Sequence, residues 1–221
     1  MIYRANVDGT NREDVVLYNY KKGVSNMAVA QTPRILFLSS GQAYKITSVS
    51  IEEGSSVPKT EVDFLTNLIH TPAAILVDDE QGYLYIALRW SIVRTNLTGS
   101  GHRDVVFKDG KSLNINRMGI DLTRYVRRIF FFDLGTHKSF FKDLNSFDIS
   151  SAQELTEYIP LPNLEKIRDI CYFNSVIYWI IGGSSGGIGK MTDYDQTNPS
   201  FQFQEISQFN PRRAYFADIE A

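Results

Sequence analysis

IYRANVDGTNREDVVL, residues 2–17, lies without a gap over IVRTNLTGSGHRDVVF, residues 92–107, and this internal match decides the fold. Seven of the sixteen positions are identical at the offset of 90: Ile2/Ile92, Arg4/Arg94, Asn6/Asn96, Gly9/Gly99, Asp14/Asp104, Val15/Val105 and Val16/Val106. The pattern reads as strand, tight turn, strand. Gly9 and Gly99 supply the positive φ that a two-residue hairpin turn demands.

Outward from this match, a second half-unit recurs four times: MAVAQTPRILFLSS from Met27, AAILVDDEQGYLYIAL from Ala73, MGIDLTRYVRRIFFFDL from Met118 and IRDICYFNSVIYWIIGG from Ile167. Each is an apolar strand, a short polar turn and an aromatic strand. The aligned aromatics Phe37, Tyr85, Phe130 and Tyr178 stand 48, 45 and 48 residues apart, so the offset of 90 is two periods of about 45. One four-stranded sheet cannot cover both its faces, and repeats of this length made of strands stack as blades around a channel. The expected fold is therefore an all-β propeller with about five blades present, in one domain over residues 1–221. Further copies of the first half-unit begin near Tyr44, His137 and Ile188, those at Tyr44 and His137 being weak. Residues Ser151–Glu157 and Leu164–Arg168, separated by Pro160 and Pro162, read as a loop insertion between blades. Pro211–Ala221 restarts an apolar strand, so both ends read as partial blades of a longer, six-bladed ring.

The unit resembles the class B (YWTD) repeat of the low-density lipoprotein receptor family, whose pattern runs I-x-R-A-N-L-D-G, then P-x-G-L-A-V-D, then L-Y-W-T-D. Ile2, Arg4, Ala5, Asn6, Asp8 and Gly9 match the first part; Pro72, Val77, Asp78, Ile120 and Asp121 match the second. The third part is degraded: Tyr85, Phe130-Phe131 and Tyr178-Trp179 keep aromatics, and Asp133 alone keeps the final acid. The resemblance implies a YWTD-type propeller that binds a protein or peptide, at the cell surface or outside the cell, as part of a larger protein. The alternatives are a cytoplasmic or bacterial scaffold propeller and a calcium-dependent propeller hydrolase of lactonase or esterase type.

Composition narrows the partners. Aromatic residues make up 13% of the 221, with 14 Phe and 12 Tyr, which suits pleated, half-buried strands. Lys and Arg number 23 against 25 Asp and Glu, so a net charge of -2 offers no basic field for nucleic acid. No apolar run reaches the length of a membrane span. Cys171, the single cysteine, excludes an internal disulfide and reads as a small buried strand residue.

No catalytic constellation emerges, and the expected role is binding without catalysis and without a cofactor. Gly183-Ser184-Ser185-Gly186-Gly187 fits the hydrolase elbow G-x-S-x-G, but Ile188–Thr192 reads as a strand where the elbow needs a helix. As a phosphate loop the same stretch has Met191 where Ser or Thr should hold magnesium. His70, His102 and His137 occupy no equivalent repeat positions and have no ligand spacing. Asp78, Asp121 and Asp218 do recur once per unit, with Cys171 and Ala30 replacing them in two copies. They read either as acceptors for backbone N–H groups in their own turns or, alternatively, as acids converging on a calcium ion. Asn96-Leu97-Thr98 is an N-glycosylation sequon. Trp90, Tyr125 and Arg127 are the residues expected on a ligand-binding face, because exposed aromatic and Arg side chains anchor interfaces.

Overall fold

The computed structural model describes residues 2–4, 8, 10, 13–16, 24–40, 44–52, 61–107, 113–123, 125–144, 152–155, 167–182, 186–194, 196 and 199–206. Eighteen strands and no helix occur among them. The two-residue-period patterns fold as antiparallel meanders. A hairpin of β1 (Ile2–Arg4) and β2 (Glu13–Val16) comes first. Four sheets of four strands follow in chain order. The first holds β3 (Val24–Gln31), β4 (Arg34–Ser40), β5 (Ile46–Ser50) and β6 (Val62–Leu65). The second holds β7 (Ala74–Asp78), β8 (Tyr83–Leu88), β9 (Ser91–Asn96) and β10 (Arg103–Phe107). The third is β11 (Ile115–Asp121), β12 (Arg128–Asp133), β13 (Lys138–Asp143) and β14 (Gln153–Glu154). The fourth is β15 (Ile167–Phe173), β16 (Val176–Ile181), β17 (Gly187–Thr192) and β18 (Ser200–Glu205). These are four blades of a β-propeller plus a hairpin of a fifth.

Register follows the repeat. The aligned aromatics face equivalent partners across the first hairpin of each sheet: Phe37 opposite Ala28, Tyr85 opposite Leu76, Phe130 opposite Gly119 and Tyr178 opposite Cys171. The first strand carries a bulge at the same place in three sheets, between Val24 and Asn26, Ile115 and Arg117, and Ile167 and Asp169.

By packing the chain divides into two units, residues 1–89 with 93–103, and residues 90–92 with 104–221. In the first unit, Phe37, Ala28 and Ala30 of the first sheet share a core with Ile75, Leu84 and Ile86 of the second. In the second unit, Phe130, Phe132 and Phe141 meet Ile170, Ile177 and Trp179. Phe37, Phe130 and Trp179 are fully buried, each contributing about 2–3 kcal/mol by area. Within each unit, strand alternation sends one residue set of a sheet toward the other sheet of that unit. The first strands of neighbouring sheets come close enough that a Cβ on Gly119 would sit 3.3 Å from the Cα of Cys171.

Two local expectations change. Gln153–Glu154, read as part of an inserted loop, is the fourth strand of the third sheet: Gln153 and Glu154 pair with Phe141 and Phe140, and the fully buried Leu155 donates its N–H to the Ser139 carbonyl at 2.8 Å. Two paired residues and one apolar anchor are too short a signal for strand periodicity. The β9–β10 connection also exceeds two residues. Gly99 N–H bonds to the Asn96 carbonyl at 2.8 Å, Asn96 N–H to the Ser100 carbonyl at 2.8 Å, and both Gly99 (φ 83°) and Gly101 (φ 68°) are left-handed. Gly99 does supply positive φ, in a longer turn, and Gly9 lies outside the described residues.

Candidate functional site

The turns between the first and second strands of each sheet hold the recurring acids. Asp78 and Asp121 are both fully buried at the ends of β7 and β11. Asp78 Oδ1 accepts the Gln81 N–H at 3.0 Å, and Asp121 Oδ1 accepts the Thr123 N–H at 2.9 Å and its hydroxyl at 2.8 Å. Both carboxylates thus act as acceptors in their own turns. Among the described residues no three His, Cys, Asp or Glu side chains gather where they would share a metal ion. Asp218 lies outside the described residues. Asp133, at the last position of the third repeat part, plays the same role at the next turn: Oδ1 accepts the N–H groups of Asn114 and Gly135 at 2.8 and 3.0 Å, and Oδ2 accepts the Thr136 hydroxyl at 2.7 Å. In the first hairpin, the Thr10 hydroxyl and N–H both donate to Asp8 Oδ1, at 2.6 and 2.9 Å, and hold its carboxyl below the usual aspartate pKa.

Adjacent sheets are tied at these turns by the residue that follows the recurring position. Asp79, after Asp78, accepts the Gln31 N–H at 2.9 and 3.0 Å from the turn of the preceding sheet. Tyr172, after Cys171, lies with its hydroxyl 3.3 Å from that of Thr123. At the bulges, Asn26 Oδ1 accepts the Ile75 N–H at 3.3 Å, and Arg117 Nε stands 3.7 Å from Asp169 Oδ1. In the second unit a further side chain, Tyr194 from the β17–β18 connection, completes the link. Its hydroxyl donates to Asp121 Oδ2 at 3.0 Å and accepts from Arg128 Nη1 at 3.3 Å, while Arg128 Nε meets Asp143 Oδ1 at 2.7 Å. The Tyr194 ring packs edge-on against Phe130 and Phe141, with centroids 5.0 and 5.6 Å away. Tyr194 sits in no repeat motif, so spacing gave no signal for it.

The residues expected on a ligand face fall at two kinds of turn. Trp90, 45% exposed, is in the β8–β9 turn, whereas Tyr125, 98% exposed, and the partly buried Arg127 are in the β11–β12 connection. In a meander these turn types lie at opposite ends of the strands, so Trp90 does not share a repeat-equivalent end with the other two. The structure adds Phe173 to the Tyr125 end: it is 43% exposed at the end of β15, beside Tyr172, whose hydroxyl meets the Tyr125-bearing loop at Thr123. Arg124 lies outside the described residues.

The remaining motifs resolve locally. Asn96 Nδ2 donates to Ser100 Oγ at 3.2 Å, and Leu97 within the sequon is buried. Arg94, at the repeat position shared with Arg4, lies over the Tyr83 ring with its Cζ 4.4 Å from the centroid. Gly183, Ser184 and Ser185 are outside the described residues, but Gly187 opens a strand rather than a helix. A Cβ on Gly187 would lie 2.1 Å from the Gln204 carbonyl oxygen, and one on Gly189 would lie 3.1 Å from the Phe201 ring, so both glycines permit close packing on β18.

No family model matches the chain, and no curated protein matches it. Among solved structures it is similar to one described as the nidogen/laminin complex, with 15% identity, a TM-score of 0.68 and coverage of 89% of this chain and 70% of that one. A second is hydrazine synthase of Kuenenia stuttgartiensis, at 11% identity and a TM-score of 0.58, covering 82% of this chain and 53% of that one. A third is YCF48 bound to D1 peptide, at 10% identity and a TM-score of 0.56, covering 89% and 56%. At these identities the likeness is one of fold, and the chain spans only about half the length of the last two.

Proposed function

We propose that the chain is a non-enzymatic propeller module of class B (YWTD) type that binds a protein or peptide through the Tyr125 end of its second unit, outside the cell or at its surface. The observation that carries this reading is a Tyr125 side chain 98% exposed on a loop bonded to the strand end that exposes Phe173. Large aromatic side chains lose little entropy on docking and anchor interfaces. A solvated aromatic at this level of exposure contributes nothing to the blade's own core. On this reading Asp78 and Asp121 are structural: Asp78 serves its own turn, and Asp121 serves its own turn and the Tyr194 hydroxyl. Two of the similar structures are described with a protein or peptide partner, which is in keeping with binding but says nothing of the ligand here.

The test is a random peptide display library selected on the whole chain. Selected peptides are expected to lose binding by about tenfold or more to Tyr125→Ala combined with Phe173→Ser, the loss of two aromatic anchors, and to keep it on Trp90→Ala. Peptides that ignore the double variant, or a selection that yields none, would remove the support for this face.

A further inference from the structure

In three of the four sheets a carboxylate holds the turn between the first and second strands. Asp79 Oδ1 accepts the N–H groups of Gln31 and Thr32 in the first sheet, at 2.9 and 3.4 Å, Asp78 accepts from Gln81 in the second, and Asp121 from Thr123 in the third. In the fourth sheet Cys171 stands at the acid position, and Phe173 pairs with Val176 across a two-residue loop, Asn174-Ser175. Both loop residues are left-handed, with φ of 50° and 65°. Positive φ at both positions of a two-residue hairpin loop is the I′ pattern, which favours Asn followed by Gly. Asn174 fits that preference and Ser175 does not. Five non-glycine residues are left-handed among the described residues: Asn67, His137, Asn174, Ser175 and Asp193. Asn, Asp and His are the types enriched there, so Ser175 alone is held against its steric preference.

A second observation concerns what the loop's polar groups do. Asn174 and Ser175 are both exposed, and among the described residues neither side chain donates or accepts a hydrogen bond. Strained backbone at an exposed turn, with its polar groups unspent, points to a use for the side chains. The loop also lies beside the Tyr125 end. Phe173, 43% exposed, precedes it directly, and Tyr172 fixes the strand end on two sides. The Tyr172 ring stacks on Phe130 with centroids 5.5 Å apart, and its hydroxyl lies 3.3 Å from that of Thr123 in the Tyr125-bearing loop.

We infer that Asn174 and Ser175 are the specificity-determining polar contacts of the Tyr125 end, where their amide and hydroxyl hydrogen-bond to the main-chain amide groups of a peptide anchored on Tyr125 and Phe173; this rests on the binding face proposed above. The segment from Phe173 to Val176 carries no charge. An Asn amide and a Ser hydroxyl each offer both a donor and an acceptor, the two functions that a peptide bond presents. A carboxylate or phosphate ligand would call for a cation at this turn. Glycine at position 175 would suit the backbone but supply no hydroxyl, which accounts for serine at the strained position.

The probe is a peptide selected on the whole chain whose binding depends on Tyr125 and Phe173, and two variants separate the hydroxyl from the backbone. Ser175→Gly relieves the left-handed position and removes the hydroxyl. It should raise Tm by about 2–4 °C while weakening the peptide by about three- to tenfold, the loss of one hydrogen bond. Ser175→Ala keeps the strained backbone, so Tm should stay at the parent value while binding falls by the same factor. Neither group is charged, so the loss should be equal at low and high salt. The inference is overturned, with the binding face intact, if peptides that need Tyr125 and Phe173 bind both variants as tightly as the parent, or if the loss vanishes at high salt. An unchanged Tm in Ser175→Gly would also overturn it, by removing the strain at Ser175. A selection that yields no peptide dependent on Tyr125 and Phe173 would remove the face and these contacts together.

Discussion

Replacing Tyr194 by Phe removes one hydroxyl and keeps the ring that packs on Phe130, Phe141 and Tyr172. That hydroxyl lies at the centre of the link between the third and fourth sheets, donating to the fully buried Asp121 and accepting from Arg128. A hydrogen bond to a charged group is worth about 1.5–3 kcal/mol, and a buried acceptor left short of a donor retains its desolvation cost. The expected loss is therefore about 2 kcal/mol, which for a chain of this size lowers Tm by about 4–8 °C. The assay is reversible thermal unfolding of the whole chain followed by circular dichroism, with Asp121→Asn and the double variant completing a cycle. Because Asp121 keeps its bonds to Thr123 in either background, the cycle isolates the Tyr194 contact, and a coupling of about 1–2 kcal/mol is expected. If Tyr194→Phe melted within 1 °C of the parent, or the two changes were simply additive, the link would not carry the stability assigned to it.

Other consequences follow from the same geometry. Gly187→Ala places a Cβ 2.1 Å from the Gln204 carbonyl, so β17 and β18 must part and the chain should lose stability by more than Gly99→Ala, measured as denaturant midpoint. Gly99→Ala meets Phe64 O at only 3.3 Å but forces alanine to a φ of +83°, at a cost of about 1–2 kcal/mol; an unchanged midpoint would remove the left-handed turn. Calcium titrated against the full chain should leave Tm unchanged, since the Asp78 and Asp121 carboxylates serve their own turns. A rise that Asp78→Asn with Asp121→Asn abolishes would restore the calcium-dependent hydrolase as the leading alternative. Secreted from a eukaryotic host, the chain is expected to carry glycan mass at Asn96 that Thr98→Ala removes, as read by mass spectrometry. An unmodified Asn96 would take away the sequence's internal support for an extracellular location and favour the scaffold alternative.

The strands were legible because their signals are periodic and repeat. An aromatic flanked by apolar residues at 37, 85, 130 and 178 marks the second strand of each sheet, and the match of 2–17 with 92–107 marks the outer two. The short β14 was not legible, because it rests on two residues and the burial of Leu155 rather than on alternation. The turn acids were visible as a recurrence that favoured local turn bonding over a shared cation; the bonds they accept from Gln81 and Thr123 belong to the turns themselves, a detail that spacing does not carry. The links between sheets were hidden for another reason. Asp79, Tyr172 and Tyr194 act across 48, 49 and 73 residues from loops of different length, so no fixed spacing announces them. Trp90 and Tyr125 looked alike in sequence, as aromatic residues beside arginine in polar connections. Which end of a blade a turn occupies depends on counting strands, and that count separates them.

The central claim is that each repeat is one antiparallel meander in a common register. Cross-strand nuclear Overhauser contacts in the full chain test it most directly. The account predicts backbone contacts between Phe37 and Ala28, Tyr85 and Leu76, Phe130 and Gly119, and Tyr178 and Cys171, the same pair in all four sheets. Partners displaced by one residue in any sheet would turn its aromatic to the opposite face and contradict the shared register, and helical short-range contacts across these segments would contradict the blades themselves.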